Sequence, residues 1–358
     1  MCESSQLKYL SIHMTNIHGA GAVNLSISIL PHLLNIKTLI VDKIYVPHNG
    51  LVSEFFRNEK NNSNIIYYKR WLPNALSRLL ECTLFGNKFE SLFPLLVFGD
   101  IPLRVNCKQT LFIQNSLLFS DDYISLKNFL LKFLFKFNLK FVDIFIVQTE
   151  VMKLKLQKFH PDTAGKIRVI GQPAPNWIDI HSNSEIYKKN KQYSSLKLIY
   201  PANFYPHKNH KLLSTINHKK EWPVSKLLLT VDESLNPARH VEWIKCVGFL
   251  SPPQLLDAYL ESDALLFLSL EESLGFPLIE AMYLGRSIVC PDLPYAHTIC
   301  GDQAIYFQPN DLDSLQKSLI RLNNLLDNGW LPCWEAALSN LPGSWREVAN
   351  SFYMVSTH

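Results

Sequence analysis

Short apolar runs alternate with segments of helical periodicity along the whole chain, in two successive series, and this double alternation leaves few folds open. Strand and helix in alternation build parallel sheets covered by helices. The first series has apolar runs at 7–14, 65–68, 95–98, 111–113 and 142–147. Its helices are predicted after residue 21, with Val23, Ile27 and Leu30 on the apolar face, and over 126–140 and 151–159. At Gly171-Gln172-Pro173-Ala174-Pro175 the pattern breaks, and a polar stretch carrying Lys188, Lys189 and Lys191 runs on to Ser195. Gly, Pro and polar residues in such density mark a linker. The second series has strands at 196–200, 226–231, 244–247, 264–270, 288–290 and 304–307, with helices from His207 and over 253–260, 277–284 and 312–326. A chain of 358 residues suits two domains. The spacing predicts an α/β chain of two facing domains with a cleft between them, joined by the linker at 171–195.

Composition narrows the function. The formal net charge of +4 is too mild, and the Lys and Arg too scattered, for a nucleic-acid-binding domain. Seven cysteines without a CxxC pair, and an N-terminus without a basic and then apolar leader, are read as reduced thiols in a cytoplasmic protein. No uncharged apolar run reaches the roughly 18 residues of a membrane span. The twelve histidines show no metal-ligand spacing. Asp311-Leu312-Asp313 opens an amphipathic helix and is read as capping, not as a metal motif.

The most informative stretch is 268–282, where a strand gives way to a helix, the place where open α/β sheets hold ligands. Pro277 suits a first helical turn, and Gly275 lets backbone approach a ligand. Free N–H groups and the positive helix end suit a diphosphate. Glu272 and Glu280 frame the turn. Carboxylates serve sugar hydroxyls better than phosphates, which assigns Glu280 to ribose hydroxyls and Glu272 to the donor hexose or its phosphate edge. A bare pair at this spacing would be two solvated charges; the Gly-Phe-Pro-Leu-Ile-Glu-Ala setting reverses that reading.

Glu272 to Glu280, with Gly275-Phe276-Pro277 between and Gly285 after, resembles the Glu-x7-Glu signature of retaining GT-B glycosyltransferases. More narrowly it is similar to the family-four, group 1 enzymes that build bacterial polysaccharides and O-antigens. Tyr200 to His210, Val247 to Ser251, Phe145 to Thr149 and Ser344-Trp345 resemble other segments of that group in the same order. The likeness is dense from 142 to 345 and sparse before 111.

The resemblance implies the GT-B fold, two facing Rossmann-like domains with parallel sheets and an interdomain cleft. It makes 1–172 the acceptor-binding domain and 173–342 the donor-binding domain, with a last helix from Trp345, within 343–358, returning toward the first domain. The implied reaction moves a sugar, with retention, from a nucleotide-diphosphate donor (UDP-sugar favoured over GDP-sugar) to a saccharide acceptor, polyprenyl-diphosphate-linked, with no cofactor and no metal. Lys208 matches the lysine that neutralises donor phosphates, with His207 beside it. Ser273, Leu274, Gly275, Phe276 and Pro277 would surround the diphosphate, and Phe249 lies in the loop on the nucleobase side. Gly19 and Gly21 match a glycine-rich loop after the first strand that contacts donor phosphate or acceptor. Many relatives carry a histidine near the reacting carbon; here Asn115 or Gln114 stands in its place, with His13 and His18 as alternatives. The implied catalytic residues are Glu272, Lys208 and Asn115. Ala202 stands where many relatives carry an arginine, which weakens the phosphate clamp.

The helix over 126–140 carries Lys132, Lys136 and Lys140 on one stripe beside Phe133 and Phe137. A basic aromatic helix fits either a bilayer surface or a core helix with a solvated face. The resemblance favours peripheral contact with the cytoplasmic face of the inner membrane. Two other functions stay open: a nucleotide-sugar epimerase on the same fold, and a catalytically silent binding or scaffold protein.

Overall fold

The computed structural model describes residues 6–17, 19–58, 64–70, 74–121, 126–179, 194–217 and 220–358. Cys2, His18, the stretch 180–193 with Lys188, Lys189 and Lys191, and the side chain of Lys127 lie outside the described residues. Thirteen strands are described: β1 (Lys8–His13), β2 (Leu39–Pro47), β3 (Ile65–Tyr68), β4 (Leu95–Phe98), β5 (Gln109–Phe112), β6 (Ile144–Val147), β7 (Ile167–Val169), β8 (Leu196–Tyr200), β9 (Val224–Leu229), β10 (Ile244–Cys246), β11 (Ala264–Leu266), β12 (Ser287–Pro291) and β13 (Ile305–Phe307). The helices are α1 (Ala20–Leu34), α2 (Leu51–Asn58), α3 (Asn74–Thr83), α4 (Leu126–Asn138), α5 (Glu150–Phe159), α6 (Asn176–Asp179), α7 (Pro252–Glu261), α8 (Phe276–Tyr283), α9 (Pro294–Cys300), α10 (Leu312–Asp327), α11 (Glu335–Ser339) and α12 (Trp345–Thr357).

The strands form two sheets, each paired parallel throughout, in the orders β3-β2-β1-β4-β5-β6-β7 and β10-β9-β8-β11-β12-β13. Helices cover both faces of such sheets, so their strands read as nearly unbroken apolar runs. Leu95 to Phe98, Leu111 to Ile113 and Phe145 to Val147 are accordingly buried. Met1–Pro173 and Pro342–His358 make up one compact unit, and Ala174–Leu341 the other.

In the first unit, α12 closes what the N-terminal segment begins. Its buried face, Trp345, Val348, Ala349 and Phe352, lies against α1. The Phe352 ring sits edge-on to Phe112 at 5.0 Å and stacks near Phe98 at 5.9 Å. Ser344 caps the helix by accepting from the Glu347 N–H at 3.3 Å, while the Glu347 carboxylate accepts from the Gly343 N–H at 2.9 Å. These two bonds satisfy N–H groups that the first turn leaves unpaired.

Several elements differ from the sequence expectation. No α-helix starts at His207; two short 3-10 turns, Pro206–Lys208 and His210–Thr215, meet at Asn209, whose φ of 55° breaks the helical path. The strand expected over 264–270 ends at Leu266, and 267–270 turns toward α8. Strands β2 and β7 and helices α2, α3 and α9 had no counterpart in the sequence reading. Within β2 the charged Asp42 and Lys43 interrupt the apolar run.

Both sheets reverse strand order at one place, between β1 and β4 in the first and between β8 and β11 in the second. The carboxyl edge at such a reversal opens a crevice where open α/β sheets hold their ligands.

Candidate functional site

At the β8–β11 reversal two chain segments meet. After β8 the chain turns through Pro206–Lys208, and after β11 it runs from Leu268 to Gly275 before entering α8. The His207 carbonyl staples them together, accepting from the Leu270 N–H at 2.8 Å and the Ser269 hydroxyl at 3.4 Å. The Tyr200 hydroxyl donates to the Lys208 carbonyl at 2.6 Å, and the Asn209 amide donates to Asn310 at 3.1 Å. These bonds fix a turn that glycine- and asparagine-type backbone angles make possible.

Gly275 caps α8 with a φ of 84°. A side chain there would be strained in that conformation and would press on Leu278, 3.2 Å from an added Cβ. The Gly275 carbonyl accepts from the Leu278 N–H at 2.9 Å. Leu274 is buried in the core, so it offers a ligand only backbone; Ser273, Phe276 and Pro277 are half-buried at the helix start.

The two carboxylates are in different states. Glu272 forms an ion pair with Lys208, whose ammonium also lies 5.8 Å over the Phe267 ring. Both side chains are mostly shielded, so this pair is held rather than solvated. Glu280 is buried, and the Tyr259 hydroxyl on α7 donates to it at 2.9 Å. Burial pushes its carboxyl up to about 7, with the Tyr259 bond pulling the other way. Burial, with Lys208 nearby, holds His207 and His210 down at about 4, so both rings are neutral at pH 7. Phe249 projects from the loop after β10, 82% exposed, next to Gly248 with its φ of 73°.

The other predicted residues belong to the first unit. Gly19 is the N-cap of α1 and Gly21 lies within the helix's first turn, so the expected loop is a helix start. An added Cβ meets nothing within 4 Å at either glycine. Asn115 caps a short 3-10 turn, accepting from the Leu117 N–H at 3.1 Å, and its own N–H donates to Asp100 at 3.0 Å. His13 is fully buried, its ring nitrogen 3.0 Å from the Thr15 hydroxyl. Ala202 is a buried core residue. Asp311 accepts from the Ser314 N–H at 2.9 Å and caps α10. Among the described residues no three His, Cys, Asp or Glu side chains cluster as a metal would require.

Residues 197–324, which carry this turn, match the family model described as glycosyl transferases group 1. The O-antigen chain mannosyltransferase RfbU of Salmonella typhimurium is 27% identical over 270 residues, 73% of this chain and 70% of that protein. The chain is thus similar in sequence to the group 1 glycosyl transferases. Its fold is GT-B, like that of a glycosyltransferase from Rickettsia africae ESF-5 (TM-score 0.65, 15% identity, 98% of each chain). The Anabaena protein Alr3699/HepE, solved in complex with UDP-glucose, is similar in fold at a TM-score of 0.61 and 12% identity, over 98% of this chain and 95% of that one.

Three parts of the site went unread in the sequence. Tyr259, the partner of Glu280, sits 21 positions away on another helix. Its ring alone reads as core. Asn310, with a φ of 61°, and Asn209 are both positive-φ asparagines, and that residue type is the one available signal. The pairing of Lys208 with Glu272 spans 64 positions and has no sequence signature.

Proposed function

We propose that this glycosyltransferase moves a sugar from a nucleoside-diphosphate donor, held at the β8–β11 reversal, to a hydroxyl of a saccharide acceptor in O-antigen-type polysaccharide synthesis. The observation that carries the donor site is Glu280, a buried carboxyl one turn into α8 whose burial raises it to about 7. A fold gains nothing from such a group, whereas ribose hydroxyls donating to it would restore what burial removes. Lys208 and the N–H groups opening α8 take the diphosphate. Glu272 exchanges its ion pair with Lys208 for hydroxyls of the donor sugar. Phe249 offers an exposed ring to the base.

The reaction retains configuration. The bond from the anomeric carbon to the diphosphate oxygen breaks as the acceptor oxygen bonds to that carbon on the same face, and the proton passes to the departing diphosphate. Charge then grows on the leaving group, where Lys208 and the start of α8 stabilise it, so the scheme calls on no metal. Uridine is favoured as the base, in line with the UDP-glucose complex of Alr3699/HepE. A second reading, in which the sugar is mannose, follows the name of the RfbU relative.

The acceptor is proposed to be lipid-linked, with the enzyme peripheral on the cytoplasmic face of the inner membrane. Phe129, Phe133 and Phe137 lie exposed along α4 beside exposed Lys136 and Lys140, which suits an anionic bilayer. No helix of the described residues is long and apolar enough to cross a membrane. Calorimetric titration with UDP, GDP and their glucose and mannose derivatives, with and without magnesium, tests the donor site. Selective, magnesium-independent binding by one diphosphate series is expected. Absence of binding by every nucleotide would sink the proposal, and turnover of donor to an epimer without acceptor would replace it.

A further inference from the structure

The first unit's own order reversal, between β1 and β4, is flanked by side chains that have donors without acceptors. Arg70 makes two bonds to Glu81, at 2.8 and 2.7 Å, and reaches the Thr15 hydroxyl at 3.3 Å and the Asn16 amide oxygen. Its charge is spent holding the loop after β1. Arg78 lies one turn before Glu81 and Cys82 on α3, and those two are buried, so Arg78 shares the inward face of that helix. It is half-buried, and its guanidinium has no hydrogen bond or ion pair among the described residues. It stands near enough to His13, the last residue of β1, and to Asp100, just past β4, to influence both.

Two further polar side-chain atoms are buried without a partner among the described residues. The Gln114 side-chain nitrogen, just past β5, has none. Nor does the Nδ1 of His13. Arg70 and the His13 Nε2 both lie within hydrogen-bond reach of the Thr15 hydroxyl, at 3.3 and 3.0 Å. Burial keeps that ring neutral. Neighbouring strands stand about 5 Å apart, so the ends of β1 and β5, separated by β4, lie about 10 Å from each other. Asp100 is the acidic group between them; it already accepts from the N–H groups of Gln114 and Asn115, and burial raises its carboxyl toward the neutral form.

We infer that the carboxyl edge of β1, β4 and β5 binds a phosphate or diphosphate group, with Arg78 as its cation and Gln114 as a donor behind it. An anion is all acceptor and no donor, which is what such a group of donors lacks. Resting on the transferase reading above, the site holds the diphosphate of a lipid-linked acceptor.

The test is calorimetric titration of the full chain with farnesyl diphosphate, and with farnesol as the uncharged counterpart, in saturating UDP. Farnesyl diphosphate should bind, and Arg78→Met should weaken it about tenfold or more, the scale of a charge-assisted hydrogen bond. Arg78→Lys should recover part of that loss, and Gln114→Leu should weaken binding severalfold without touching the cation. Farnesol binding and UDP affinity should stay as in the parent; unaltered UDP affinity and melting also show that each variant is folded. Equal binding of farnesol, an unchanged affinity in Arg78→Met, or no binding by the parent chain would each overturn the site. A diphosphate displaced only by Lys208→Ala would assign it to the second unit and likewise overturn it. UDP binding by the parent is scored separately, so failure of the donor site and of this one are told apart.

Discussion

Glu280 has two opposing duties that one substitution separates. Its folded-state carboxyl titrates near 7, above the ordinary 4.5, so the folded chain holds a proton that the unfolded chain has released between those values. Stability contributed by the neutral acid is therefore complete below about 4.5 and is lost as pH rises through 7, a change on the order of 3 kcal/mol. Glu280→Gln keeps a buried neutral group and the Tyr259 contact, so its melting temperature should exceed the parent's at pH 8 and match it at pH 5. The same variant should lose nucleotide affinity. In the parent, UDP affinity should climb from about pH 5.5 through 7 and level off above about 8, while Glu280→Gln shows no such climb; a parent curve no steeper than the variant's would remove Glu280 from the ribose. Lys208 is bound up differently, because it already neutralises Glu272. Lys208→Ala should lower turnover by about 100-fold or more, as losing one charge-stabilising donor does elsewhere, with full activity counting against its role. Gly275→Ala, strained at a φ of 84° and pressed on Leu278, should cost about 1–2 kcal/mol in thermal unfolding.

Among elements, the strands whose residues are buried on both faces were legible, because β4 and β6 are unbroken apolar runs and β5 ends in one after Gln109 and Thr110. Strand β2 hid behind Asp42 and Lys43, and the turn at His207 read as helix because the asparagine type alone hints at the left-handed Asn209. The Glu-x7-Glu turn was legible from Gly, Pro and spacing; its partners Lys208 and Tyr259 come from other elements, and only the fold brings them there. Helix α12 shows how much rests on one late element: Phe352 packs between Phe98 and Phe112, and Phe352→Ala should destabilise the first unit by about 3–5 kcal/mol. A loss below 1 kcal/mol would mean that α12 is dispensable. On α4, replacing Phe129, Phe133 and Phe137 together by Ser should abolish co-sedimentation with vesicles rich in anionic lipid, while leaving UDP affinity unchanged. Persistent sedimentation would assign the stripe another task.

At the scale of the molecule, the second unit is continuous in sequence and carries its own core, from Ala174 and Leu196 to Leu326 and Trp334. All the donor residues proposed in it lie within 174–341, so that fragment should fold alone and bind UDP within a few-fold of the full chain. A much weaker fragment would mean that the first unit supplies part of the donor site. The first unit is the interrupted one, because Pro342–His358 joins Met1–Pro173 across the whole of its neighbour. Synthesis on the ribosome gives that interruption a duration. At about 5–20 residues per second, the intervening segment takes roughly 8 to 34 s to make. Through that interval the nascent first unit has its sheet but not its closing helix, and the faces of α1, Phe98 and Phe112 that α12 will cover stay open. The second unit can fold meanwhile, so of the two units the one begun earlier is completed later, and its apolar face stays open until α12 emerges.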